Sequence, residues 1–262
     1  MGQTIACANQ KGGVGKTTTV VNVAAYLAGD GARVLVIDLD PQGNATSGLG
    51  VERQAGGRSI YDALVDGVPL QDLVTRTDVA GLDLIASSIA LAGAEVELAA
   101  VSQRERRLAR LLPPIAQAYD YVFVDCPPSL GLLTVNALTA ADAVLVPLQC
   151  EYYALEGLSQ LIATIHLVRD HLNPALAVNG VVLTMFDART NLSAEVASEV
   201  RRHLPDAVYD TVVPRSVRLA EAPSYGQPIA QYAPESRGAA AYRALATELH
   251  GRGARRAIGG AA

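Results

Sequence analysis

Of the chain's 21 fixed cations only two are lysines, Lys11 and Lys16, and both fall within the short segment Lys11-Gly12-Gly13-Val14-Gly15-Lys16-Thr17-Thr18. Every other fixed cation is Arg, so lysine is retained only where a compact ammonium on a flexible stem does what a planar guanidinium cannot. The segment follows a short apolar run, Thr4–Ala8, and opens a run of helical character at Lys16. Glycines at such a strand-to-helix turn let backbone N–H groups point inward onto phosphate oxygens, and the helix N-terminus adds its positive dipole end. Lys16 is thereby placed to reach the β- and γ-phosphates of a nucleoside triphosphate and Thr17 to offer its hydroxyl to Mg²⁺, with Gly12, Gly13, Val14, Gly15 and Thr18 completing the cradle. The general pattern GxxxxGK[ST] is missed at its first position. Gln10 stands there, with the extra Lys11 beside it.

Two further runs deliver carboxylates. Val34-Leu35-Val36-Ile37-Asp38-Leu39-Asp40-Pro41-Gln42 ends a strand with two, on the side where ligands bind in open α/β sheets. Tyr121-Val122-Phe123-Val124-Asp125 ends a strand with one, in the form of a Walker B carboxylate that holds Mg²⁺ through water. Either alone has the ordinary reading of a strand-end or helix-capping Asp beside it. Together with the glycine loop they make a consistent phosphoryl-transfer set.

The elements that must position these groups alternate regularly. Apolar runs predict strands at 4–8, 33–37, 82–86, 121–124, 143–147, 178–184 and 208–213; helical stretches are predicted at 16–29, 59–65, 102–118, 132–140, 154–171, 193–203 and 239–250. Continuous rather than alternating apolar strands are what a sheet covered on both faces requires. The βα order therefore predicts an α/β fold, a doubly wound, mostly parallel sheet with helices on both faces. Residues 1–250 read as one domain and 251–262, rich in Gly, Ala and Arg, as a mobile tail.

Half of the 262 residues are apolar, yet no uncharged stretch approaches the roughly 18 residues a membrane helix needs, and no secretory leader is evident. A cytoplasmic location is expected. Cys7, Cys126 and Cys150 are odd in number and lack CxxC spacing, which argues against a disulfide framework or a zinc site and for small buried hydrophobes. The net charge of −5 conceals an asymmetry. Residues 1–200 carry 12 basic against 21 acidic side chains, net −9, whereas residues 201–262 carry 9 against 5, net +4. The C-terminal part is thus suited to an anionic partner.

The chain resembles the ParA/Soj family of DNA-partitioning ATPases, within the deviant Walker A P-loop group. The resemblance is carried by Ala8-Asn9-Gln10 leading into the Lys11–Thr18 loop, by Asp38-Leu39-Asp40-Pro41-Gln42-Gly43-Asn44-Ala45-Thr46 and by Asp125-Cys126-Pro127-Pro128-Ser129-Leu130-Gly131. Cys150-Glu151-Tyr152-Tyr153-Ala154-Leu155-Glu156-Gly157, Leu183-Thr184-Met185-Phe186-Asp187-Ala188-Arg189-Thr190 and the stretch from Pro214 to Ser224 extend it. These blocks point to the chromosomal, Soj-like branch. The resemblance implies ATP and Mg²⁺ as cofactors, slow hydrolysis stimulated by a ParB partner, and a homodimer formed on ATP binding. It implies that Lys11 crosses that dimer to the other subunit's phosphates, that Lys16 serves its own, that Asp40 positions or activates the attacking water, and that Asp125 is the Walker B group. A cation supplied only on dimerisation would act much as an arginine finger does. The adenine pocket is expected around Met185 and Pro214.

The family's ATP-bound dimer binds double-stranded DNA without sequence preference, which implies a nucleoid-associated protein. Arg189, Arg218 and Arg243, with Arg201 and Arg202, resemble the family's DNA-contacting basic positions, and Arg252, Arg255 and Arg256 read as a loose electrostatic arm. Phosphate contacts of this kind give affinity without base readout. The loop starts too early for the preceding helix-turn-helix of larger plasmid relatives. The last dozen residues lack the apolar face of a membrane-binding helix, so no membrane partner is expected. No second cysteine is placed for an Fe–S cluster. The alternative is a MinD-like or cargo-positioning ATPase scaffold that does not bind DNA, and the Arg set is what separates the two.

Overall fold

The computed structural model describes residues 2–52, 57–151 and 154–259, with side chains as far as Arg252; Tyr152 and Tyr153 of the quoted motif lie outside them. One eight-stranded sheet runs through the structure in the order β3-β4-β2-β5-β1-β6-β7-β8. Its strands are β1 (Gln3–Cys7), β2 (Val34–Asp38), β3 (Val74–Arg76), β4 (Leu82–Ile85), β5 (Tyr121–Asp125), β6 (Ala143–Gln149), β7 (Ala177–Phe186) and β8 (Val208–Pro214). All neighbouring pairs are parallel except β3 with β4 at the edge.

The continuous apolar strands are explained by two cores. Side chains alternate across the pleat, so Leu35, Ile37, Val122 and Val124 enter one core while Val34, Val36, Tyr121 and Phe123 enter the other. The first is closed by the helices Leu132–Ala140, Ala154–His171 and Asn191–His203, which contribute Leu138, Leu161 and Val200. The second is closed by the helices Lys16–Gly29 and Arg237–Gly259 through Val20, Val23, Tyr242 and Leu245. Each fully buried side chain of this size contributes about 1.5–3 kcal/mol. The doubly wound sheet expected from the sequence is therefore present.

All seven expected strands form, and three of the expected helices, at 16–29, 132–140 and 154–171, have the predicted bounds. The edge strand β3 was not anticipated; three residues, two of them exposed, carry no apolar run. The single helix expected over 102–118 is instead broken into Arg104–Arg106, Arg107–Leu111 and Pro113–Ala116. Pro113 and Pro114 cause the last break, since proline has no N–H and its ring clashes with the preceding turn, so it is accommodated only where a helix starts. The C-terminal helix does not stop at His250. It continues to Gly259, through most of the segment expected to be a mobile tail. Arg252 in particular is not part of a loose arm. Its guanidinium donates to Val208 O at 2.7 Å and lies 4.0 Å from the centre of the Tyr209 ring, and it pairs with Glu248. The side chains of Arg255 and Arg256 lie outside the described residues.

Candidate functional site

The parallel register brings the carboxyl ends of three central strands level, with Cys7 opposite Asp125 and Asp125 opposite Asp38. From that edge β1 feeds the glycine loop, β2 feeds Asp40 and β5 ends in Asp125. Gly13 and Gly15 have φ of 73° and 89°, the left-handed region where a side chain is strained, while a Cβ on Gly13 would meet nothing within 4 Å. Backbone conformation, not crowding, is therefore what demands glycine there. No side chain caps the helix that starts at Lys16, so its first-turn N–H groups remain available to an anion.

Three side chains fix the loop. Asn9, buried, donates to Pro147 O at 2.8 Å and accepts the Lys11 backbone N–H at 3.0 Å. Thr184 donates to Val14 O at 2.8 Å. Lys16 is buried and its ammonium returns to Lys11 O at 3.1 Å, closing the loop over itself.

Beside the loop lies a cleft of about 410 Å³. It is lined by Gly12, Gly13, Gly15, Lys16, Thr17 and Thr18, by Asp40, and on the far wall by Met185, Leu219 and Pro223. Met185 holds φ of +50°, a strained value for a residue with a side chain and one that recurs where a ligand is clamped. Val14 is buried beneath the loop rather than in the cleft wall, and Pro214 ends β8 opposite Phe186, outside the residues that line the cleft. A larger cavity of about 610 Å³ opens at the other end of the sheet, where Arg33 and Asp120 pair with each other; it presents none of the loop glycines.

The three aspartates differ in how they are occupied. Asp38, wholly buried, accepts Thr46 N and Thr46 Oγ1 at 2.7 Å each and Asp40 N at 3.2 Å. Burial pushes its carboxyl up to about 6, against the pull of those hydrogen bonds. It is a structural hub, a role its sequence context did not distinguish from that of Asp40. Asp40 turns into the cleft, its Oδ1 accepting Gln42 N at 2.9 Å. Asp125 accepts the Thr17 hydroxyl at 2.7 Å through Oδ2, while its buried Oδ1 has no hydrogen-bond partner among the described residues. Burial first, then the charge of Asp38, raise Asp125 well above the usual carboxylate range, opposed by the Thr17 hydroxyl and Lys16.

A buried carboxylate with an orphaned oxygen, bonded to the first-turn Thr hydroxyl beside an uncapped helix start, fits a divalent cation held against phosphates. The residues present thus fit Mg²⁺ with a nucleoside triphosphate.

Lys11 does not line this cleft. Its ammonium pairs with Glu151 at 2.5 Å, and it lines a separate concavity with Gln10, Pro128, Ser129, Leu130, Glu156, Gly157 and Gln160. The five arginines expected to meet DNA are dispersed over the C-terminal half. Arg189 pairs with Asp187, Arg202 with Glu199 and Arg218 with Glu221; Arg243 lies over the Tyr26 ring at 5.0 Å, and Arg201 is half-buried. Exposed pairs of this sort are worth at most about 1 kcal/mol, so they exchange readily for a phosphate.

A glycine loop between a central strand and an uncapped helix, a buried lysine and a strand-end Asp on the first-turn Thr define a P-loop nucleotide-binding protein. A family model described as an AAA domain matches residues 2–178. The chain is 58% identical over 253 residues to the sporulation initiation inhibitor protein Soj of Bacillus subtilis, covering 97% of this chain and 100% of that protein. It is 52% identical over 247 residues to the chromosome partitioning protein ParA of Caulobacter vibrioides, covering 94% and 92%. Among solved structures it matches cobyrinic acid a,c-diamide synthase from Mycobacterium smegmatis with bound ADP and magnesium at a TM-score of 0.81 and 39% identity, covering 94% and 93%. The chain belongs to the Soj/ParA family of chromosome-partitioning P-loop ATPases.

Proposed function

We propose that the protein is an ATP-dependent dimerising switch. In its ATP state it binds double-stranded DNA without sequence preference, and it hydrolyses ATP to drive chromosome or plasmid partitioning with a ParB-type partner. The observation that carries the reading is the separation of the only two lysines. Lys16 sits in the nucleotide cleft, whereas Lys11 lines a neighbouring concavity that meets the cleft at Pro128 and where a second subunit would reach it.

In this mechanism the first-turn N–H groups and Lys16 hold the phosphates in place. Thr17 and Asp125 would hold Mg²⁺, which when bound would neutralise charge on the phosphate oxygens. Asp40 accepts a hydrogen bond from the attacking water and orients it. Lys11 leaves Glu151 for the partner's phosphates, so that hydrolysis waits for assembly. Exchange of Glu151 for a phosphate is favourable because the present pair is two-fifths exposed on both sides. Met185, Leu219 and Pro223 supply apolar surface for the adenine.

The Arg set supports DNA as the cargo, by local charge rather than by the net charge. Co-sedimentation with DNA across a salt series, with ATP, ADP or no nucleotide, tests both parts. A steep salt slope seen only with ATP is expected. ATP-dependent dimers that leave DNA in solution at low salt would instead favour a scaffold positioning another cargo. Binding that is indifferent to nucleotide would remove the switch. The same reading places the protein in the cytoplasm on the nucleoid; no helix among the described residues is long and apolar enough to cross a membrane.

A further inference from the structure

Ser87 is buried at the carboxyl end of β4, one strand away from Asp40's own, and it belongs to none of the loops the sequence marks as functional. Its hydroxyl donates to Asp40 O at 2.6 Å, and its backbone N–H donates to Thr46 Oγ1 at 3.0 Å. Thr46 in turn donates its hydroxyl and its N–H to Asp38, which also accepts Asp40 N. Asp38, Asp40, Thr46 and Ser87 thus form a closed ring of hydrogen bonds, with all four residues no more than 6% exposed.

We propose that Ser87 is a positioning residue for hydrolysis, holding the Asp40 main chain so that its carboxylate faces the water that attacks the γ-phosphate. Asp40 is followed by Pro41, which already limits its backbone to extended conformations. Its carbonyl accepts Gly43 N at 2.8 Å as well as the Ser87 hydroxyl, so both lone pairs are in use and the direction of the peptide plane is set. The side chain follows, because Asp40 Oδ1 is tied to Gln42 N within the same turn. Without the Ser87 hydroxyl the turn keeps its internal bond to Gly43, and nothing joins it to the neighbouring strand at that carbonyl. The phosphate loop lies between β1 and the helix Lys16–Gly29, and Ser87 is not among the residues that line the nucleotide cleft, to which the Asp40 turn contributes Asp40, Gln42 and Asn44. Loss of the hydroxyl is therefore felt in turnover and not in nucleotide affinity.

This inference rests on the reading of Asp40 as the group that faces the attacking water, and the experiment separates the two. Phosphate release at saturating Mg-ATP and the Kd of a fluorescent ATP analogue are measured on the full chain for Ser87→Ala, Ser87→Cys, Asp40→Asn and the Ser87→Ala/Asp40→Asn double variant. Misplacement of a catalytic group by about 1 Å costs on the order of 100-fold in rate, so a fall in kcat of about tenfold or more is expected for Ser87→Ala, with Kd changed less than about twofold. Ser87→Cys, similar in size but a weak donor, is expected to fall equally, and it carries the test if the alanine variant does not fold. The double variant is expected to be no slower than Asp40→Asn alone. Wild-type kcat in Ser87→Cys, or a Kd weakened as much as kcat, overturns the positioning role. Wild-type kcat in Asp40→Asn overturns the reading of Asp40 itself; a slow Asp40→Asn beside a normal Ser87→Ala overturns only the proposal for Ser87.

Discussion

Replacing Asp125 by Asn should stabilise the nucleotide-free protein while removing its response to Mg-ATP. Asp125 is fully buried, accepts one hydrogen bond, from Thr17, and leaves Oδ1 without a partner. Asp38 and Asp40 act on it with like charge. An Asn keeps an oxygen for the Thr17 hydroxyl and removes the uncompensated charge, a relief on the order of 1–3 kcal/mol at neutral pH. For a chain of this size that raises the melting temperature by about 2–4 °C per kcal/mol.

The pH dependence makes the test sharp. Asp125 is raised above its ordinary 3.8, so the folded wild type keeps this proton to a higher pH than the unfolded chain does. Wild-type stability therefore falls as pH rises from about 3.8 through the raised value, and the penalty is absent where both states are protonated. The variant cannot titrate at this position, so its advantage should be full at neutral pH and close as pH approaches 4. Asp38, pushed up to about 6 by burial, remains in both proteins. With ATP and Mg²⁺ at 100 times Kd the wild type gains about 2.7 kcal/mol by linkage, and the variant should gain far less. Thermal melts from pH 4 to 8, with and without Mg-ATP, measure all of this. An Asn variant that melts at or below wild type at neutral pH, or whose offset is the same at every pH, refutes the account of Asp125.

Lys16→Ala should abolish ATP binding, read by fluorescence titration, because among the described residues no other lysine or arginine lines the cleft. Unchanged affinity would remove Lys16 from the phosphate site. Arg218→Glu should lose DNA binding in a gel shift yet keep ATP-dependent dimerisation by gel filtration, since breaking its exposed pair with Glu221 costs at most about 1 kcal/mol. A normal shift would count against that surface. Arg252→Ala should lower stability by about 2–3 kcal/mol in urea, having lost the bonds to Val208 and Glu248 and the contact with Tyr209. An unaltered midpoint would return Arg252 to the loose arm its composition suggested.

What the sequence determined by itself were those features that local chemistry dictates. Glycines at left-handed positions, the apolar runs of a two-sided sheet, strand-end Asp125 and Lys16 beside Thr17 are all contiguous patterns, and the fold class and nucleotide loop followed from them. The edge strand β3 and the broken 104–116 region escaped, because a three-residue edge has no periodicity and the prolines were outweighed by helical residues around them. The resemblance puts the water-orienting role on Asp40; what only the tertiary structure shows is that Thr46 occupies the neighbouring carboxylate, Asp38, with two hydrogen bonds. Only it set Lys11 on Glu151, 140 positions away, and Arg252 on Tyr209. Likewise, Ser87 meets Asp40 because β4 lies beside β2 with its register level, a juxtaposition 47 residues apart in sequence. Contacts of that range depend on how strands line up in the sheet, and no local pattern of residue types encodes them.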